Sequence, residues 1–134
     1  MPDCVFCKII QGEIPSTKVY EDENTVAFLD INPVNKGHTL VVPRSHHETI
    51  EETPEKVLSS AIAVVKKVII ALDKLNEGTN VGINNKAAAG QLVPHVHFHV
   101  IPRNKGDGLK HWGSKKYEKG EAEAVADKIK RLLK

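Results

Sequence analysis

"PHVHFHVIP", Pro94 to Pro102, decides how the rest of this chain is read. His95, His97 and His99 stand at every second position, with Val96, Phe98 and Val100 between them. Alternate residues of a β-strand share a face. As a strand, the segment turns its imidazoles toward solvent or a pocket and its apolar residues toward a core. Imidazoles on one face stand about 6–7 Å apart along the strand, so each opposes protonation of the next. A row of plain surface histidines is a poor account of three on one face. A three-histidine metal site is a second reading, since HxH on a strand chelates well. The third is catalytic, because neutral imidazole is a nucleophile and a general acid–base near neutral pH.

The flanking sequence favours the third reading. Gly90-Gln91 ends a small-residue loop whose backbone N–H groups and amide can approach a phosphate. Asn84 closes the preceding strand, and "GHTLVVPRSH" (Gly37 to His46) adds His38 at the start of another strand and His46 beyond its end. Further out, β-type runs are expected over residues 18–20, 25–29 and 38–43, separated by turn chemistry. A long helix follows, with Thr53 as N-cap, Pro54 at its first position, and Leu58, Ile62, Val65, Ile69 and Leu72 at helical spacing. Gly78 reads as its stop, residues 80–84 as a strand, and residues 85–90 as a loop. A helix over residues 121–133 closes the chain and offers Val125, Ile129 and Leu132 for docking. Strands, helix, strands, helix with short early connections predict an α+β fold on an antiparallel sheet.

The 134 residues suit one domain, spanning 1–134. Nineteen basic against 17 acidic residues give a net charge of +2, which offers no polyelectrolyte handle for nucleic acid or an anionic membrane. MPDCVFCKII has neither a basic n-region nor a long apolar stretch, so no signal peptide is expected. The apolar segment around residues 61–75 is broken by Lys66, Lys67 and Asp73, so no membrane span is expected and a cytoplasmic address follows. In that setting Cys4 and Cys7 are free, catalytic or metal-bound rather than a disulfide. A lone CxxC is by itself a weak signal.

Two stretches, "FCKIIQGEIPSTKVYEDENTVAFLDINPVNKGHTLVVPRSH" and "GQLVPHVHFHVIPR", resemble the histidine triad family of nucleotide hydrolases and transferases. The resemblance covers roughly residues 4 to 103, leaving residues 104–134 as a C-terminal extension. It implies a five-stranded antiparallel sheet, continued across a homodimer, and cleavage of nucleoside 5′-phosphate derivatives at the α-phosphorus. The substrates implied are phosphoramidates, dinucleoside polyphosphates and adenylylated groups, with an AMP-like purine nucleotide as substrate or product. His97 matches the nucleophile that forms a nucleotidyl-histidine intermediate. His99 matches the residue facing phosphate and leaving group, and His95 the histidine whose carbonyl orients the nucleophile. Asn84 and Gln91 match polar residues around the phosphate, and Asp30 the ribose-binding carboxylate. Val5, Phe6, Ile9, Phe28, Leu29 and Ile31 match the apolar slot around the base; His38 joins this nucleotide-binding set. Where the family often has Ser or Thr after the glutamine, this chain has Leu92.

Many microbial members, and the related galactose-1-phosphate uridylyltransferases, build a zinc site from such a CxxC. The resemblance therefore implies a structural zinc on Cys4, Cys7, His46 and His95, steadying the segment that carries His97. Lys110-His111-Trp112 is either a surface loop with one packed indole or a segment that reaches the partner subunit's site and shapes leaving-group choice. Two other functions stay open: a nucleotidyl transferase or phosphorylase, and a zinc-stabilised nucleotide-binding module with little turnover.

Overall fold

A computed structural model describes residues 3–133; the expected domain limits at residues 1 and 134 lie outside it. The chain opens with α1 (Val5–Ile10), a helix the sequence pattern did not predict. Its Cys4 cap accepts from the Cys7 N–H at 3.4 Å, a weak cap whose sulfur has a second use described below. Three strands follow: β1 (Lys18–Glu21), β2 (Thr25–Leu29) and β3 (Thr39–Pro43). Then come α2 (Glu55–Leu72), β4 (Gly78–Gly82), β5 (Phe98–Arg103) and α3 (Glu121–Leu132). The five strands form one antiparallel sheet in the order β1-β2-β3-β5-β4, as the α+β expectation required.

β2 and β3 are buried on both faces, which explains their unbroken apolar runs, while β5 alternates buried and half-buried residues. Ala27, Val41, Phe98 and Val100 pack against Ala61, Val64, Val65 and Val68 of α2. Val26, Phe28, Leu40 and Val42 turn the other way, onto Phe6, Cys7 and Ile9 of α1. Each fully buried Val or Phe contributes about 1.5–3 kcal/mol. The histidine face is therefore the α1 face, and α2 packs on the opposite face of the sheet. The turn into β3 needs glycine at Gly37: φ is +101°, and a Cβ there would lie 3.4 Å from Pro102 Cγ and 3.5 Å from Leu72 Cδ2.

Several boundaries differ from the sequence reading. Thr53 does not cap α2; its hydroxyl donates to Thr49 O at 2.7 Å, and Pro54 takes the cap position. The helix ends at Leu72, where the Asp73 N–H closes on Ile69 O at 2.8 Å, and Gly78 opens β4 instead of stopping the helix. Paired strand begins only at Phe98, so His95 and His97 sit in the extended approach to β5. That approach is tied by the Val96 N–H to His47 O at 2.7 Å. The expected docking of α3 does not occur within the chain: Ile129 and Leu132 are 52% and 84% exposed. Among the described residues no helix is long and apolar enough to cross a membrane.

Candidate functional site

The approach to β5 keeps the two-residue alternation, so His95, His97 and His99 follow one another across the α1 face. They do not share one environment. His95 is completely buried, His97 is 6% exposed, and His99 is half-buried at the centre of the sheet, opposite Leu40 and Gly82. The row expected to face solvent or a pocket thus begins in the interior and reaches the pocket at its second member.

Hydrogen bonds fix the proton positions. His97 Nδ1 lies 2.7 Å from His95 O, and a carbonyl only accepts, so Nδ1 carries the proton and Nε2 keeps its lone pair. The Val34 N–H donates to His38 Nδ1 at 3.1 Å, which puts the proton of neutral His38 on Nε2. That Nε2–H reaches His99 Nδ1 at 2.9 Å, so neutral His99 carries its own proton on Nε2. A chain of three donors thus ends on an N–H at the site. Burial pushes His97, His99 and His38 below the ordinary imidazole range, with Asp30 opposing the shift at all three. Asp30 Oδ2 lies 3.7 Å from His38 Nε2, an electrostatic contact rather than a hydrogen bond. Asp30, His38 and His99 also stand close enough together to suggest a metal triad. The Val34 N–H argues against one, since Nε2 ligation needs the tautomer with a proton on Nδ1.

In front of His97 and His99 opens a cavity of about 370 Å³. Val5, Phe6 and Ile9 from α1 form one wall; Phe28, Leu29 and Ile31 form another. Asp30 and Asn84 stand at its polar end. The Phe6 ring meets Phe28 edge-on at 5.5 Å and His97 at 4.9 Å, joining the apolar slot to the imidazole. The structure thus gathers ten of the sequence-predicted residues around one hollow. His38 belongs to an adjoining cavity of about 620 Å³ that shares Asp30, Asn84 and His99 with the first. Leu92 stands at the rim, 93% exposed.

Gln91 is the exception. Its Oε1 accepts from Lys86 N at 2.7 Å, and its Nε2 donates to Glu48 O at 2.7 Å and Val93 O at 3.1 Å. Both ends of the amide are thus engaged by the protein, and the side chain lines neither cavity. Lys86, at φ 75° and ψ 163°, is held in a region that favours glycine. Such strain costs about 1–3 kcal/mol and persists only where neighbours enforce it. Sequence reasoning missed Asn32 and Leu40, which stand close in sequence to predicted residues, and also Ile14, Pro15 and Ser16, all of which line the first cavity. The last three fall in "GEIPS", where a proline marks a turn but nothing points to a ligand.

Behind the histidine row, Cys4, Cys7, His46 and His95 bring four ligand atoms within 4.8 Å of one another. The Cys7 Sγ–His46 Nδ1 distance is 3.4 Å, Cys4 Sγ–His95 Nδ1 is 3.4 Å, and the two Nδ1 atoms are 3.2 Å apart. A tetrahedral ion at ordinary zinc bond lengths gives S···N edges of about 3.6 Å and N···N edges of about 3.4 Å. His95 Nε2 donates to Pro43 O at 2.8 Å, so its Nδ1 lone pair faces the sulfurs. Burial pushes the His95 imidazole down to about 4, which keeps it neutral and fit to ligate. The donor set therefore fits a metal ion. His95 serves two neighbours at once, with its ring toward that cluster and its carbonyl on His97.

Comparison with known proteins gives the architecture a family. The description "HIT domain" matches residues 11–106. An uncharacterized HIT-like protein of Methanocaldococcus jannaschii is 58% identical over 106 residues, covering 78% of this chain and 82% of its own. An adenosine 5′-monophosphoramidase of Schizosaccharomyces pombe is 40% identical over 133 residues, 98% of each chain. The crystal structure of a Zn-bound histidine triad family protein from Mycobacterium smegmatis superposes with a TM-score of 0.79 at 34% identity, again over 98% of each chain. With the match spanning most of its length, and the fold and triad in place, this chain belongs to the HIT-domain family.

Proposed function

We propose that this protein hydrolyses nucleoside 5′-phosphate derivatives at the α-phosphorus through a nucleotidyl-His97 intermediate. The observation that carries the reading is the His97 imidazole: the His95 carbonyl holds its Nδ1 proton, which leaves the Nε2 lone pair free beside a cavity of about 370 Å³. The apolar slot fits a base, Asp30 a ribose hydroxyl, and Asn84 with the loop amides the phosphoryl oxygens. The named activity of the S. pombe relative, an adenosine 5′-monophosphoramidase, supports an AMP-like nucleotide.

Nε2 of His97 attacks phosphorus; the P–N bond forms as the bond to the leaving group breaks, and the electron pair departs with the leaving atom. That atom takes up a proton from solvent as it goes, while the His99 Nε2–H donates a hydrogen bond on its side. Water then attacks phosphorus and its proton passes to solvent as the P–N bond breaks and the pair returns to Nε2. His38 and the Val34 N–H hold His99 in the donating tautomer. Preorganised donors aimed at developing charge supply much of such a rate enhancement. A binding module without turnover needs no free nucleophilic nitrogen.

Zinc is the ion we assign to Cys4, Cys7, His46 and His95. Two sulfur and two nitrogen donors make a closed structural site, and the M. smegmatis relative is described as Zn-bound. When bound, zinc supplies structural cross-linking, not redox or hydrolytic chemistry. A homodimer joined at the free edge of β4 is consistent with that strand's exposed Asn80, Val81 and Gly82. The test is a substrate panel of adenosine 5′-phosphoramidate and diadenosine polyphosphates with wild type and His97→Ala. The variant should bind AMP but turn over neither class; comparable turnover by both proteins would end the assignment.

A further inference from the structure

One short helix separates the metal-ligand cluster from the apolar slot. Cys4 caps α1 and Cys7 lies in its first turn, and both sulfurs join His46 and His95. From the same helix Val5, Phe6 and Ile9 form a wall of the cavity of about 370 Å³. The Phe6 ring faces both neighbours, edge-on to His97 at 4.9 Å and to His95 at 6.0 Å. Six residues of helix are too few to be stable alone, so α1 depends on what ties it to the sheet. Among the described residues, the backbone hydrogen bonds of residues 4–14 all close within that segment, as from the Lys8 N–H to Cys4 O at 3.1 Å and the Ile14 N–H to Lys8 O at 3.3 Å. The polar contacts that leave it run through the sulfurs: Cys4 Sγ to His95 Nδ1 at 3.4 Å, and Cys7 Sγ to His46 Nδ1 at 3.4 Å and His95 Nδ1 at 3.6 Å. His46 follows β3 and His95 precedes β5, so the cluster ties α1 to the two central strands. The rest of its hold is the packing of Phe6, Cys7 and Ile9 on the sheet.

We propose that the metal site and the base slot are thermodynamically linked through α1: Cys4 and Cys7 are positioning residues that, when ligated, hold Val5, Phe6 and Ile9 at the slot. This rests on the nucleotide reading above and on zinc as the ion at the four donors. A helix fixed in advance spares the base the cost of ordering it, so metal tightens base binding. Linkage is reciprocal, so a bound base retains the metal by the same factor. Asp30 and Asn84, at the polar end of the cavity, belong to other parts of the chain. Ribose and phosphate alone therefore leave α1 untouched, and the base carries the linkage.

The test loads wild type with zinc and follows release into an excess of a chromophoric chelator. AMP at saturation should slow release about tenfold, within the usual range of such couplings. Ribose 5-phosphate, brought to matched occupancy by calorimetry, should leave the rate within about twofold of the free protein. Val5→Ala trims an exposed residue of the slot wall and spares all four ligands. At matched AMP occupancy its release should be slowed clearly less than in wild type, and this arm decides alone if ribose 5-phosphate does not bind. General stabilisation of the fold by any ligand would instead give equal slowing at equal occupancy. Equal slowing by ribose 5-phosphate, equal slowing in Val5→Ala, or AMP occupancy with unchanged release overturns the linkage alone. A wild type that binds no AMP overturns the nucleotide reading and this proposal with it, and one that takes up no zinc overturns the metal assignment and this proposal.

Discussion

Replacing His38 with leucine breaks the donor chain at its middle. His38 is 3% exposed, and the substitution removes both the acceptor for the Val34 N–H and the donor to His99 Nδ1. An orphaned N–H costs about 1–3 kcal/mol, part of which the buried isobutyl group recovers. A net loss of about 1–2 kcal/mol lowers Tm by roughly 3–8 °C in a chain this size. Catalysis suffers separately, because His99 is no longer held with its proton on Nε2. The lost bond is worth about 1 kcal/mol, or roughly fivefold in rate. Loss of a whole preorganised donor aimed at developing charge, about 10²–10³ in kcat, sets the ceiling. Stopped assays on adenosine 5′-phosphoramidate should show kcat reduced by about 5- to 100-fold, with KM little changed. His38→Gln offers an amide acceptor and donor and should recover most of the stability. A kcat for His38→Leu within about twofold of wild type would refute the donor-chain argument.

Other consequences are open to direct measurement. Metal analysis should find one zinc per chain, and Cys7→Ser should lose it and melt roughly 10 °C lower or more, whereas His97→Ala should keep both metal and Tm. Burial lowers the pKa of His38 and His99, so the unfolded chain takes up their protons at higher pH than the native one. Their contribution to stability is complete above about pH 6.5 and shrinks as pH falls toward the lowered native values; denaturant melts should show this slope, flattened in His38→Leu. Phe6→Leu removes edge-on contacts to Phe28 and His97 and should cost about 1–1.5 kcal/mol while raising KM for the nucleotide several-fold.

Much of this was legible in the sequence because it rests on short-range periodicity. The alternation through Val96, Phe98 and Val100 located the core face of β5, and helical spacing located α2. The apolar slot and Asp30 were accessible through family resemblance rather than through pattern. What stayed hidden depends on tertiary partners. Six residues of α1 are too few for a periodic signal, and its cap is a cysteine. Gln91 has the residue type of a phosphate ligand, but its engagement by Lys86 N on one end of the amide and by Glu48 O and Val93 O on the other depends on tertiary structure. The role of His38 hinges on the Val34 backbone N–H, which no side-chain pattern reveals. Arg103 and Asp107 stand four apart and could have been paired from spacing alone, but Asn35 reaches them from far away in the chain. The apolar stripe of α3 was correctly seen, but its docking within the chain does not occur.

The central claim is that one neutral imidazole nitrogen bonds to phosphorus. Rapid acid-free quenching of wild type with adenosine 5′-phosphoramidate, followed by proteolysis and tandem mass spectrometry, reads that bond directly. The account predicts a transient adenylyl group on the peptide carrying His97, localised to that residue. A modification on His95 or His99 instead, or steady turnover with no labelled histidine at any quench time, would contradict it.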